Sequence, residues 1–211
     1  GAIYFKGGVI QIKNSIFDRN EAVNEGGAIK LESLNISVEV ANSIFKNNVS
    51  KKGGAFSTES YSYTSVGVSG YSRFNFYKTD IINNSSSEDG GAIFSYSRHS
   101  VGGSYANTRN AYSNSNIVFD QCNIKNNHAT TNGGAVYSFS YSLGKSTYTG
   151  NPNAISRIKA INCVIENNSS GQSGGAFYSL ADAYNGNLNL SEVLLDSSIV
   201  MNNSAINDGG V

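Results

Sequence analysis

The sequence predicts an all-β chain wound as a right-handed parallel β-helix solenoid of about six to seven coils. Three observations predict it. Two short phrases recur along the whole chain at a fixed mutual spacing. The residues around them alternate between apolar and polar. No window carries a 3.6-residue period. The first phrase reads small, gap, apolar, gap, polar, Asn. Its copies are SIFDRN, SIFKNN, TDIINN, CNIKNN, CVIENN and SIVMNN, ending at Asn20, Asn48, Asn84, Asn127, Asn168 and Asn203. The second phrase, five or six residues later, is Gly-Gly-Ala plus an apolar residue, with its second Gly at Gly27, Gly54, Gly91, Gly134 and Gly175. A shortened GAIY opens the chain, and Gly-Gly-Val stands at Gly209 to Val211.

Taken in order, each element has a physical reason. Val9 to Ile12, Ile36 to Val40, Phe74 to Phe76, Ile117 to Phe119, Ile155 to Ile161 and Leu188 to Leu195 alternate with β-branched or aromatic residues before the first phrase, so they read as strands. The apolar slot of that phrase (Phe17, Phe45, Ile81, Ile124, Ile165, Val200) is expected to point into the bore. The Asn that follows is expected at a corner, where its amide caps backbone groups, tolerates left-handed φ and stacks with its copies. Gly-Gly supplies positive φ or close approach that a Cβ forbids. The apolar residue after Ala (Ile3, Ile29, Phe56, Ile93, Val136, Phe177) forms a second inward column. A coil of 26 or 27 residues suits three short strands and three turns. All length variation falls between Gly-Gly-Ala and the next first phrase, so Tyr/Ser-rich insertions are expected at one corner: Thr58 to Arg73, Tyr96 to Asn116 and Phe139 to Ser156. Residues 1–211 read as one domain that begins and stops inside a phrase. It is expected to be a segment of a longer array or a unit that stacks into a filament.

Composition narrows the function classes. Lys plus Arg and Asp plus Glu number 15 each, so the chain lacks the basic surplus of a nucleic-acid binder. Its 39% hydrophobic content is too high for a disordered chain, and no apolar run is long enough for a membrane-spanning helix. Two cysteines and two distant histidines make no metal site, and no cofactor is expected. Cys122 and Cys163 occupy one slot in consecutive copies, where the others carry Ser15, Ser43, Thr79 and Ser198. Equal slots of a stacked solenoid lie about 4.8 Å apart. That separation fits a disulfide and fits two stacked thiols equally.

The paired phrases resemble the GGA-[Ile/Leu/Val] and FxxN repeats of the polymorphic outer-membrane proteins of chlamydiae. Phe17 to Asn20 and Phe45 to Asn48 match FxxN in full, and the other copies replace Phe by Ile or Val but keep the Asn. The resemblance spans the chain. It implies a right-handed β-helix exposed at a cell surface, usually with an adhesive role.

Candidate chemistry is sparse. The position after the second inward column is expected to face outward: Tyr4, Lys30, Ser57, Phe94, Tyr137 and Tyr178. Tyr4, Phe94, Tyr137 and Tyr178 would make an aromatic ligand face, for instance for sugars, unless the insertions fold back over them. Acidic residues scatter. Glu25, Asp89 and Asp208 share the slot before Gly-Gly, but Lys52, Asn132 and Ser173 interrupt it, so no catalytic carboxylate ladder is expected. Sequons fall at Asn35, Asn48, Asn83, Asn84, Asn167, Asn168, Asn189 and Asn202, those at Asn48, Asn84 and Asn168 on expected buried positions. The expected function is a non-catalytic extracellular structural or adhesive module, stacking end to end into a filament or stalk. Its partners would be copies of itself, or host or neighbouring cell-surface molecules, glycans among them. A carbohydrate-binding module and a polysaccharide lyase or hydrolase remain the alternatives.

Overall fold

A computed structural model describes residues 1–64, 69–101, 111–143, 152–184 and 188–209. The chain is a parallel β-helix. Every described strand pairs in parallel, in register, with its copy one coil away, and four sheets result. Sheet A holds Ile3–Lys6, Ile29–Glu32, Phe56–Thr64, Ile93–Val101, Val136–Leu143 and Phe177–Tyr184. Sheet B holds Val9–Lys13, Asn35–Ala41, Ser69–Tyr77, Tyr112–Asp120, Asn153–Ile161 and Leu188–Asp196. Sheet C holds the three-residue strands Ile16–Asp18, Ile44–Lys46, Asp80–Ile82, Asn123–Lys125, Val164–Glu166 and Ile199–Met201. Each coil thus has four faces where spacing suggested three. The fourth, sheet D, is built of two-residue strands such as Val49–Ser50 and Ser85–Ser86, too short to show a period of two.

The bore is filled as the alternation requires. Ile29, Phe56, Ile93, Val136 and Phe177 stack in register on sheet A, and Phe45, Ile81, Ile124 and Ile165 on sheet C, all buried. Phe17 and Phe45 lie parallel, ring centres 4.7 Å apart.

The corners explain the punctuation. The left-handed residue is the one before each ladder Asn: Arg19, Asn47, Asn83, Asn126, Asn167 and Asn202, with φ between 54 and 57°. This corrects the expectation that the ladder Asn itself takes that conformation. A single left-handed residue makes the turn and leaves the next side chain facing inward. A second such corner, at Asn14, Asn42, Lys78, Gln121, Asn162 and Ser197, precedes the Ser/Thr/Cys slot. Lys78 and Gln121 hide it in the sequence. In the Gly-Gly pair the first glycine carries the positive φ. A Cβ on the second would strike the carbonyl oxygen of its copy in the next coil.

The insertions are not loops over their described length. From the third coil onward the strands of sheets A and B run to eight or nine residues, beyond the hydrophobic bore, and form a two-sheet wing. Inside it, hydroxyls replace hydrocarbon. Thr58, Ser72, Ser95, Ser115, Ser138, Ser156 and Ser179 link one to the next across the sheets at 2.7 to 3.1 Å. The links of this chain are buried up to its last member, Ser179. Serine satisfies its own polarity there and is small enough to let the sheets approach.

Candidate functional site

The six ladder asparagines form one column. Each backbone N–H and side-chain amide donates to Oδ1 of the Asn in the next coil, as Asn84 does to Asn127 at 3.0 Å in both bonds. The Asn84 amide also reaches the Phe45 carbonyl, at 3.0 Å. The same three bonds recur at Asn48, Asn127 and Asn168, and the column runs from Asn20 to Asn203. Asn48, Asn84, Asn127 and Asn168 are fully buried, so these four are architecture and offer no ligand a donor.

Cys122 and Cys163 are free and buried. Each thiol donates to the carbonyl two residues earlier, at 3.4 Å (Asp120) and 3.1 Å (Ile161), just as Ser43 and Ser198 do with their hydroxyls.

The outward face of sheet A is where unusual chemistry collects. Tyr4, Lys30, Ser57, Phe94, Tyr137 and Tyr178 do share one register column. Phe94, Tyr137 and Tyr178 stack with ring centres 5.3 Å apart and planes within 8°. Their faces are turned to one another along the axis, and Lys52 sits over the Phe94 ring. Phe94 is only 4% exposed, and burial pushes the Tyr137 phenol above its ordinary range. Tyr4 stands apart, separated from this stack by Lys30 and Ser57, and donates to Glu32 at 2.7 Å.

The described parts of the insertions extend this face rather than fold over it. Sequence reading missed the next two columns. Tyr96 and Phe139 sit beside the first stack, ring centres 5.4 Å apart. Beyond them Tyr61, Arg98, Tyr141 and Asp182 stand in register. The Arg98 guanidinium lies between the Tyr61 and Tyr141 rings, 5.9 and 5.4 Å from their centres. Neither Arg98 nor Asp182 makes an ion pair among the described residues. The signal was present in YSY, FSYSR and YSFSYS: serine alternates with aromatic, so serine faces in and tyrosine faces out.

The lower coils of the same face carry charge. Lys30 holds Glu25 at 3.0 Å and Glu32 at 2.9 Å, with Glu59 at 4.0 Å. Burial works against the Lys30 charge, but the bonds to Glu32 and Glu25 outweigh it and hold the ammonium above the usual range. Glu32 and Glu59 are register partners with opposite tendencies. The Tyr4 hydroxyl and Lys30 hold Glu32 below the usual carboxylate range, while burial and the charge of Glu25 raise Glu59. They line a groove of about 540 Å³ with Lys6, Leu34 and Tyr61. Glu25 and Glu32 lie in different slots of the phrase, so spacing alone did not bring them together.

Of the sequons, Asn48, Asn84 and Asn168 are buried, and Asn83, Asn167 and Asn202 are exposed at left-handed corners.

The family model of the Chlamydia polymorphic membrane protein repeat matches residues 78–96, 121–138 and 162–180. Each match begins at a left-handed corner and runs through the ladder Asn and Gly-Gly-Ala into sheet A. Three successive coils therefore carry that repeat. Neither a curated protein nor a solved structure matches the chain.

Proposed function

We propose that this chain, carrying the polymorphic membrane protein repeat in three coils, is a non-catalytic module displayed at a cell surface, where it is a rigid adhesive stalk. One observation carries the reading. The outward face of sheet A presents a broad aromatic surface that the described parts of the insertions leave uncovered, on a scaffold whose other repeated residues are spent on architecture. Exposed aromatic patches with a polar rim mark interaction sites, and tyrosine with arginine is the composition of binding hot spots. The stacked form suits a stalk, because any further coil, of the same chain or of a second copy, would continue every column. At the last described coil the ladder direction leaves Asn203 as the next donor.

The enzyme reading is disfavoured by the groove at Glu32 and Glu59. Lys30 holds Glu32 at 2.9 Å and lies 4.0 Å from Glu59, so both carboxylates belong to an ion-pair cluster. The sugar-stacking reading is disfavoured by the ring geometry, since Phe94, Tyr137 and Tyr178 cover one another's faces.

Particles coated with the chain test the adhesive reading. They should bind cultured cells, and a Tyr96→Ser/Tyr141→Ser variant should bind about tenfold less, as expected for loss of hot-spot aromatics. Equal binding by the variant, or release of sugars from polysaccharides by the chain, would overturn it.

A further inference from the structure

We infer that the aromatic face of sheet A docks on the same face of a second copy, the two solenoids running antiparallel. This rests on the adhesive reading above and names its partner. Two charges of this face have no counter-ion among the described residues. Arg98 and Asp182 stand in one outward column, with Tyr141 between them, so they lie two coils apart, roughly 10 Å. At that distance they do not pair within one chain. A two-fold axis lying in the face, along the strand Val136–Leu143, exchanges the coils on either side of that strand and keeps each column on itself. Arg98 of one copy then meets Asp182 of the other, twice by symmetry.

The apolar residues agree with the same operation. Tyr96 meets Leu180, while Phe139 and Tyr141 each meet their own copies at the centre. Leu180 is 37% exposed, a large apolar side chain that this contact would cover. The alternative two-fold, along the solenoid axis over the same column, sets Arg98 on Arg98 and Asp182 on Asp182. Like charges in a desolvated contact exclude it. An isologous contact of this kind is self-complementary by construction.

The arginine is held ready for this role. Its guanidinium lies between the Tyr61 and Tyr141 rings, and a planar guanidinium pairs well with a carboxylate. The contact is small. The six residues Tyr96, Arg98, Phe139, Tyr141, Leu180 and Asp182 on each side fall short of the roughly 20–30 of a standard interface, so single copies associate weakly. Display of many copies on two surfaces turns such a contact into firm adhesion by avidity.

Sedimentation of the purified chain over rising concentration tests the inference. Weak dimers are expected. Asp182→Arg, at an exposed position, and Arg98→Asp should each weaken them about tenfold or more, and the double swap Arg98→Asp/Asp182→Arg should restore them. Monomers at every concentration would overturn the inference. So would self-association that both single variants leave unchanged, which would point to the open coil ends instead. Circular dichroism and the thermal midpoint of Asp182→Arg keep a folding defect from passing as loss of contact. Coated particles separate the two readings: clumping without cells supports the second-copy contact. Cell binding by a chain that stays monomeric sinks this inference and leaves the adhesive reading standing.

Discussion

At the residue scale, each inner ladder Asn joins two neighbouring coils by hydrogen bonds. Asn127 donates to Asn168 and to the Ile81 carbonyl, and accepts twice from Asn84. Asn127→Ala strands the Asn84 donors and the Ile81 carbonyl in a dry core. At about 1–3 kcal/mol for each buried group left unpaired, a loss of roughly 3–5 kcal/mol is expected in a denaturant titration. Asn126→Ala, one residue earlier and exposed, forfeits only left-handed tolerance, about 1–2 kcal/mol. Equal losses would contradict the division of labour between the two asparagines. His99 supplies a pH test. It is 1% exposed in the wing, with its ring against Gly70 and Nε2 at 3.3 Å from the Ser60 hydroxyl. Burial lowers its pKa from 6.5 to about 4. Above pH 6.5 the ring is neutral in folded and unfolded chains, and nothing is lost. Between pH 6.5 and 4 only the unfolded chain takes the proton, so stability falls as pH falls, by roughly 3 kcal/mol over that window. His99→Gln should flatten that slope, with thermal midpoints at pH 7 and pH 4.5 as the readout; an unchanged slope would count against it. The ladder and the glycines were legible in sequence because each corner allows few residue types. The second left-handed corner was not, because Lys78 and Gln121 occupy it at exposed positions.

At the element scale, the wing shows one sheet pair changing its core along its own length. Near the bore Phe74, Phe76, Ile117 and Phe119 fill the space between the sheets, and farther out Ser72, Ser115 and Ser156 fill it. The change follows from spacing. Phenylalanine and isoleucine keep opposed sheets apart, and serine bonded across the gap lets them close. Ser115 sits mid-chain in the hydroxyl series, 2.7 Å from Ser95 and 2.8 Å from Ser138. Ser115→Ala should cost about 1–2 kcal/mol through two partners left short of a bond. Ser115→Leu restores apolar volume where none fits, and overpacking should cost roughly 1–3 kcal/mol beyond that. Thermal midpoints should fall about 2–4 °C per kcal/mol in a chain of this size. A leucine variant as stable as the wild type would show that the sheets are not closely packed there. The alternation that makes the wing is plain in YSFSYS, yet serine is a weak strand former and a polar one. It reads as loop until its hydroxyl partners on the other sheet are known, and those lie 18 to 23 residues away.

At the scale of the whole molecule, the solenoid is a stack in which each coil touches only its neighbours. Stability is then close to a sum over coils and their interfaces. A ladder substitution in a middle coil should cost more than the same change at the last described coil. Asn127→Ala breaks bonds to both sides, whereas Asn203→Ala breaks its bonds to Asn168 and to the Ile165 carbonyl. A difference of at least about 1 kcal/mol in unfolding free energy is expected, and parity would speak against nearest-neighbour additivity. The same linearity separates what the sequence determined by itself from what the tertiary structure decided. Class, coil boundaries, inward columns and the asparagine ladder are periodic, and a period is a one-dimensional property that a sequence carries in full. The candidate face is two-dimensional. Tyr96 and Arg98 on one coil, Phe139 on the next and Asp182 on the one after are brought side by side only by the register between coils. Likewise Glu59 joins Lys30, Glu25 and Glu32 only once the strands Ile29–Glu32 and Phe56–Thr64 are laid in register. Coil lengths vary by insertion, so backbone hydrogen bonding between the strands sets that register, and side-chain spacing along the chain does not.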